Sequence, residues 1–214
     1  MIPKQERAEL LKSYSTYVLD HGKRPDNVYQ FTKSIAMEEN MFYTFYASFA
    51  SLEADYLQVL FERSVEVCSS TTSYQNYAVK ESLLDLYYIF FENMALNRSF
   101  ILYLLQGPPH QRLMVLGNLK KPFLTFLKGL AFGSLRVEGS KTLQRYLEKG
   151  RYEALWLHFV SAVEFWMKDN SADFVDTDIY IEKSLDTASA VLENPAAKKV
   201  VDFGKFMFHK NKMW

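Results

Sequence analysis

Cysteine is nearly absent. Cys68 is the single one among 214 residues, which excludes an intrachain disulfide and fits a reducing compartment. With no motif around it, this thiol reads as a small buried apolar side chain on a helix. Glycine and proline are also sparse, at 8 and 6, and most fall in short clusters that punctuate the chain. Alternating β-branched stretches are scarce, which argues against a sheet. Neither sign of charge prevails, with 25 basic and 25 acidic residues, so the whole chain exerts no pull on nucleic acid or anionic lipid. The longest apolar runs, FILYLL and ALWLHFVSAV, fall short of the roughly 18 to 20 residues that span a bilayer. The opening MIPKQERAELLKSY is charged and lacks the apolar stretch of a secretory leader. A cytoplasmic protein is expected.

Catalytic signatures are missing as well. His21, His110, His158 and His209 are scattered, and none forms an i, i+4 pair with a third ligand nearby. There is no glycine-rich phosphate loop, no nucleophile elbow and no repeated E-x-x-H of a di-iron site. Glu38 and Glu39 are adjacent, hence about 100° apart on a helix, and do not make a catalytic dyad. DNSADFVDTD lacks the glycine and the closing glutamate of a calcium loop and reads as a solvated turn. No catalytic residue, metal or cofactor is expected, and the protein is read as non-enzymatic.

What the chain does have is apolar material, 49% of its residues, with 16% aromatic. Its periodicity is helical almost throughout. A first helix is expected over about 4–20, ended by His21-Gly22 and a turn with Pro25. Asn27 suits the N-cap of a second helix over 28–34. After a break near Ala36-Met37, Glu38 caps or leads a third helix reaching Tyr46. Ser48 or Ser51 starts a fourth, to about 69. SSTTSYQN (69–76) is the clearest linker between a small head and a larger body. Helices are then expected over about 77–105 with a split near Asn97-Arg98, over 111–116, over 118–135, and over 140–169 with a break at Gly150. Two more close the chain, over 179–192 and 195–209. The fold class is all-α.

From about Leu10 to Glu62 the sequence resembles the TetR family of bacterial regulators. Val28, Phe31 and Thr32 take the positions of its first motif helix. Ala36 falls at the turn glycine and Met37 at the apolar anchor after it. Phe42-Tyr43, Tyr46, Ser48 and Leu52 fall at the Leu-Tyr, aromatic, serine and leucine of its recognition helix and the segment after it. The resemblance implies a three-helix helix-turn-helix head over 1–50 and a helical effector-binding and dimerisation domain over 51–214, linked by a helix over about 51–69. It also implies a homodimer on double-stranded DNA. Lys23, Arg24, Lys33, Glu39, Asn40 and Tyr43 are the candidate contacts; a glutamate can accept from cytosine N4.

The departures matter. Ala36 replaces the glycine, Glu38 the capping serine and Asn40 a small residue. Phe49 replaces the lysine that in the family touches phosphate, and Ala50 its neighbouring glutamate. From residue 1 to 67 seven Lys or Arg face ten Asp or Glu, a net charge of minus three, although phosphate neutralisation supplies most non-specific affinity.

In the body, LLDLYYIFFENMALNRSFILYLL is apolar around most of its circumference and must be surrounded by other helices or line a cavity. Aromatic stripes are ordinarily core. The resemblance adds a cavity for a small hydrophobic effector, with Tyr87, Phe90, Phe91, Met94, Phe123, Phe126, Trp156, Phe159 and Trp166 as its candidate lining. Arg98, His158 and Glu164 are candidates for orienting polar groups. EFWMKDNSADFVDTDIYIEKSL is also similar to the closing region of the TetR-like lipid-binding proteins of ubiquinone biosynthesis, with Trp166, Asp169, Asp173 and Tyr180 in the matching places. That implies an alternative, a lipid or hydrophobe binder that has lost DNA binding. In either case the helices near 151–168 and 179–192 are expected to pair across a two-fold axis.

Overall fold

The computed structural model describes residues 4–70, 78–130, 132 and 141–193; the side chains of 4, 141–144, 146–147 and 189–193 are excepted. Among these residues all regular structure is helical. The α-helices are α1 (Lys4–His21), α2 (Val28–Ser34), α3 (Glu39–Phe45), α4 (Phe49–Ser70), α5 (Val79–Ala95), α6 (Arg98–Leu104), α7 (Pro109–Gly117), α8 (Lys120–Gly129), α9 (Lys141–Lys168) and α10 (Val175–Glu193). A 3₁₀ turn, Ala172–Phe174, precedes α10. The expected helix over 195–209, most of the SSTTSYQN linker and the loop over 133–140 lie outside the described residues.

The chain divides into two compact units. One is Met1–Glu66 with Phe90–Pro122, and the other is Val67–Ile89 with Phe123–Trp214. The core of the first is a cluster of rings. Phe31 of α2, Phe42 of α3, Phe49 of α4 and Tyr14 of α1 meet with centroids 5.3 to 6.3 Å apart. All four are buried. Aromatic pairs in such tilted and offset arrangements gain beyond their buried area, so this cluster fixes α2 and α3, two seven-residue helices that propensity alone would leave marginal.

In the second unit Tyr87 of α5, Phe123 of α8, and Trp156 and Phe159 of α9 form a similar cluster, with centroids 4.8 to 6.5 Å apart. Trp166, Ile181 and Leu185 are buried in the same unit.

Local signals set most helix ends. Asn27 accepts from the Gln30 amide at 2.8 Å and caps α2. Gly22, at φ 66°, closes α1. Ser48 and Ser51 cap α4 reciprocally: each hydroxyl accepts from the other's amide, at 3.3 and 3.1 Å. Ser48 is therefore the cap of the two candidates.

Three expectations differ. Helix α9 runs unbroken through Gly150, because one helical glycine costs only about 1 kcal/mol and the burial of Leu155, Trp156, Phe159 and Val163 outweighs it. Helix α8 stops at Gly129, and Leu130 turns back to bond the Leu127 carbonyl. Helix α10 begins at Val175, four residues before the expected start. Its cause is Asp169, buried and bonded to the amides of Ser171 and Thr177.

Candidate functional site

Two seven-residue helices, α2 and α3, are joined by residues 35–38. The turn is a helix C-terminal motif. The Met37 amide donates to the Thr32 carbonyl at 2.9 Å and the Ala36 amide to the Lys33 carbonyl at 3.3 Å. Ala36 sits at φ 53°, in the left-handed region where glycine is the unstrained residue. The backbone thus makes a turn that suits glycine, with an alanine held in it.

Phe42 turns the inner side of α3 into the ring cluster, leaving Asn40 and Tyr43 outward. Tyr43 is 53% exposed, and Glu39 is half-buried at the helix start. On α2, Lys33 lies over the Tyr29 ring, 5.8 Å from its centroid. Lys23 pairs with Asp26 at 2.9 Å. Arg24 grips Glu53 with two hydrogen bonds, at 3.1 and 2.5 Å. Lys33 on α2 and Asn40 and Tyr43 on α3 are thus exposed, while Lys23 and Arg24 precede α2 and already hold carboxylates. Phe49, where the resemblance implies a phosphate-touching lysine, is buried and stacked on Tyr14 at 5.3 Å; Ala50 beside it is exposed.

Sequence reasoning missed the role of Glu53 and Asp55. Arg24 and the Tyr14 hydroxyl, the latter at 2.5 Å, donate to Glu53. Arg7 and the Tyr46 hydroxyl, the latter at 2.5 Å, donate to Asp55. Burial first, and then the neighbouring carboxylate, pushes both phenols well above their usual range. No short-range pattern announces the two ion pairs, because Arg24 and Arg7 lie 29 and 48 residues from their carboxylates. They remove acids and bases in equal number, so the excess of acid in this segment persists.

Of the nine candidate ligand residues, Phe90, Phe91 and Met94 belong to the first unit, and Tyr87, Phe123, Phe126, Trp156, Phe159 and Trp166 to the second. All nine are buried. In the second unit His158 stacks on Tyr87 and is held in a polar chain. The Tyr87 hydroxyl lies 3.0 Å from its Nδ1, and its Nε2 lies 2.7 Å from the Ser184 hydroxyl. The Ser184 hydroxyl in turn donates to the Tyr180 carbonyl at 2.6 Å. The chain runs in one direction if Nδ1 accepts and Nε2 donates, which is the neutral imidazole. Burial lowers the His158 pKa in the same sense.

A pocket of about 710 Å³ lies elsewhere in this unit, between the end of α9 and the start of α10. Glu164, Phe165, Lys168, Asp176 and Tyr180 line it, and Tyr180 stacks on Phe165 at 4.5 Å.

The architecture defines a class: an all-α protein in which a helix, a four-residue turn and a second helix on an aromatic core precede a helical body. The model of the tetracyclin repressor-like C-terminal domain matches residues 82–207. The chain belongs to the TetR family. A comparison with curated proteins finds no match.

Proposed function

We propose that this TetR-family protein is a one-component transcriptional regulator that binds operator DNA as a homodimer and answers to a small hydrophobic effector. The observation that carries the reading is the pairing of α2 with α3 across a tight turn, with Asn40 and Tyr43 directed away from the core. In this reading α2–turn–α3 is a helix-turn-helix and α3 enters the major groove. Asn40 and Glu39 meet base edges, Tyr43 and Lys33 meet backbone, and Lys23 and Arg24 are the cations on the loop before α2 that are nearest in sequence to these contacts.

The effector packs against the rings of Tyr87, Phe123, Trp156 and Phe159, flanked by Phe126 and Trp166, with His158 as its polar partner. Its differential affinity for two arrangements of the body changes the affinity for DNA through α4. The dimer forms through α9 and α10. There Leu157, Phe165 and Ile179 are 63%, 37% and 41% exposed, an apolar surface that a second copy would cover. Such a protein works in the cytoplasm and catalyses nothing.

The acidic head favours a second reading, a TetR-shaped carrier of a lipid or hydrophobe that no longer contacts DNA. Gel retardation with the promoter region beside the protein's own gene, at low salt, separates the two. Retardation that weakens steeply with salt supports the regulator. No retardation at micromolar protein, together with lipid found by mass spectrometry of the purified chain, supports the carrier.

A further inference from the structure

The Arg24–Glu53 contact bears on how strongly the head can hold DNA. A guanidinium fork fits a carboxylate and a phosphate with the same two parallel hydrogen bonds. In this protein the fork of Arg24 is filled: Nε donates to Glu53 Oε1 at 3.1 Å and Nη2 to Oε2 at 2.5 Å. The two partners differ in burial. The Arg24 side chain is 47% exposed and that of Glu53 only 14%. Glu53 is fixed on α4 and also accepts from the Tyr14 hydroxyl at 2.5 Å, so the carboxylate stays anchored whether or not Arg24 remains on it. Arg24 stands three residues before Asn27, the cap of α2, on a loop with solvent on its open side.

A second guanidinium clamp of this unit is filled in the same way. Arg7, near the start of α1, grips Asp55. Asp55 is two residues beyond Glu53, hence about 200° around α4.

We propose that Glu53 acts as an internal stand-in for phosphate, holding Arg24 away from the DNA backbone and so setting how tightly the head grips DNA irrespective of sequence. The proposal rests on the DNA-binding reading above. The carboxylate is mostly covered and anchored by Tyr14 while the guanidinium is open to solvent on its other side, so Glu53 holds the fork of Arg24 against a competing phosphate. Phosphate contacts hold DNA without reading its sequence. A head in which this contact is suppressed leaves a larger share of its affinity to Asn40 and Glu39.

The test is Glu53→Gln, compared with wild type on the promoter duplex and on an unrelated duplex of equal length, between 50 and 200 mM salt. Freeing Arg24 tightens binding to both duplexes at low salt by roughly tenfold, and steepens the dependence of log Kd on log salt by about one for each head engaged. The double variant Arg24→Gln/Glu53→Gln returns to the wild-type slope, because the gain passes through Arg24. Glu53→Asp keeps the charge and shortens the reach; it steepens the slope in the same direction and serves if Glu53→Gln loses its helical melting transition.

A wild type that binds, with both Glu53 variants unchanged in slope, overturns the competition and leaves the DNA reading standing. A gain that survives in the double variant assigns it to lost repulsion and also overturns it. Absence of retardation by wild type and by both variants overturns the two together.

Discussion

At the scale of single residues, Ala36 shows how a backbone demand outlives the residue that best meets it. The turn between α2 and α3 needs a left-handed residue, and φ at Ala36 is 53°. An L-residue with a Cβ is penalised there, by roughly 1 to 2 kcal/mol, whereas glycine is not. Part of that gain is offset by the larger unfolded-state freedom of glycine. Ala36→Gly is therefore expected to stabilise the protein by about 1 kcal/mol, read as a higher midpoint in urea unfolding with an unchanged slope.

Asp169 is the second instructive residue. Burial works against its charge, but hydrogen bonds from the side chains and amides of Ser171 and Thr177 prevail and hold it at about 2. The folded value lies below the unfolded one of about 3.9, so its stabilisation is present above about pH 4. It is lost as pH falls through that value towards 2. A urea midpoint measured between pH 5 and pH 2.5 should fall more in wild type than in Asp169→Asn. Equal slopes would remove Asp169 from the acid response. Cys68, by contrast, is inert by construction: burial pushes its thiol up to about 11, where little thiolate exists at neutral pH.

Among the elements, α2, the break after it and the split between α5 and α6 were legible in the sequence, because each carries its own signal. Asn27 caps, residues 35–38 interrupt the period, and the pattern changes face at Asn97. The start of α10 was not legible. An Asp-rich stretch looks solvated in one dimension. Only its burial between Trp166 and Thr177 makes Asp169 a cap. Gly150 misled in the opposite direction, since propensity is a weak prior beside a buried face.

The element-scale prediction concerns Phe49 at the start of α4. Restoring a lysine there would not restore a phosphate contact, because the position faces Tyr14, Phe31 and Phe42. Phe49→Lys is expected to cost at least the roughly 3 to 5 kcal/mol of a Phe→Ala change in a core. It should lower the thermal midpoint without strengthening DNA binding. Ala50→Lys, exposed beside it, is expected to leave the midpoint nearly unchanged.

At the scale of the whole molecule, the open question is what covers the apolar side chains on α9 and α10. Leu157→Asp and Phe165→Asp place charges at exposed positions, so neither should unfold a monomer. Each should convert a dimer to a monomer in sedimentation velocity if this face is the proposed interface. Sedimentation as a dimer in both variants would exclude it.

The sequence by itself determined that this chain is all-α, where most of its helices start, and the resemblance that its family membership bears out. Those features rest on period, caps and composition, which act within a few residues of one another. Tertiary structure alone decided which charges are spent internally. Arg7 with Asp55, and Arg24 with Glu53, lie 48 and 29 residues apart. Nothing in a linear count shows that a cation facing solvent in one dimension is gripped by a half-buried carboxylate in three.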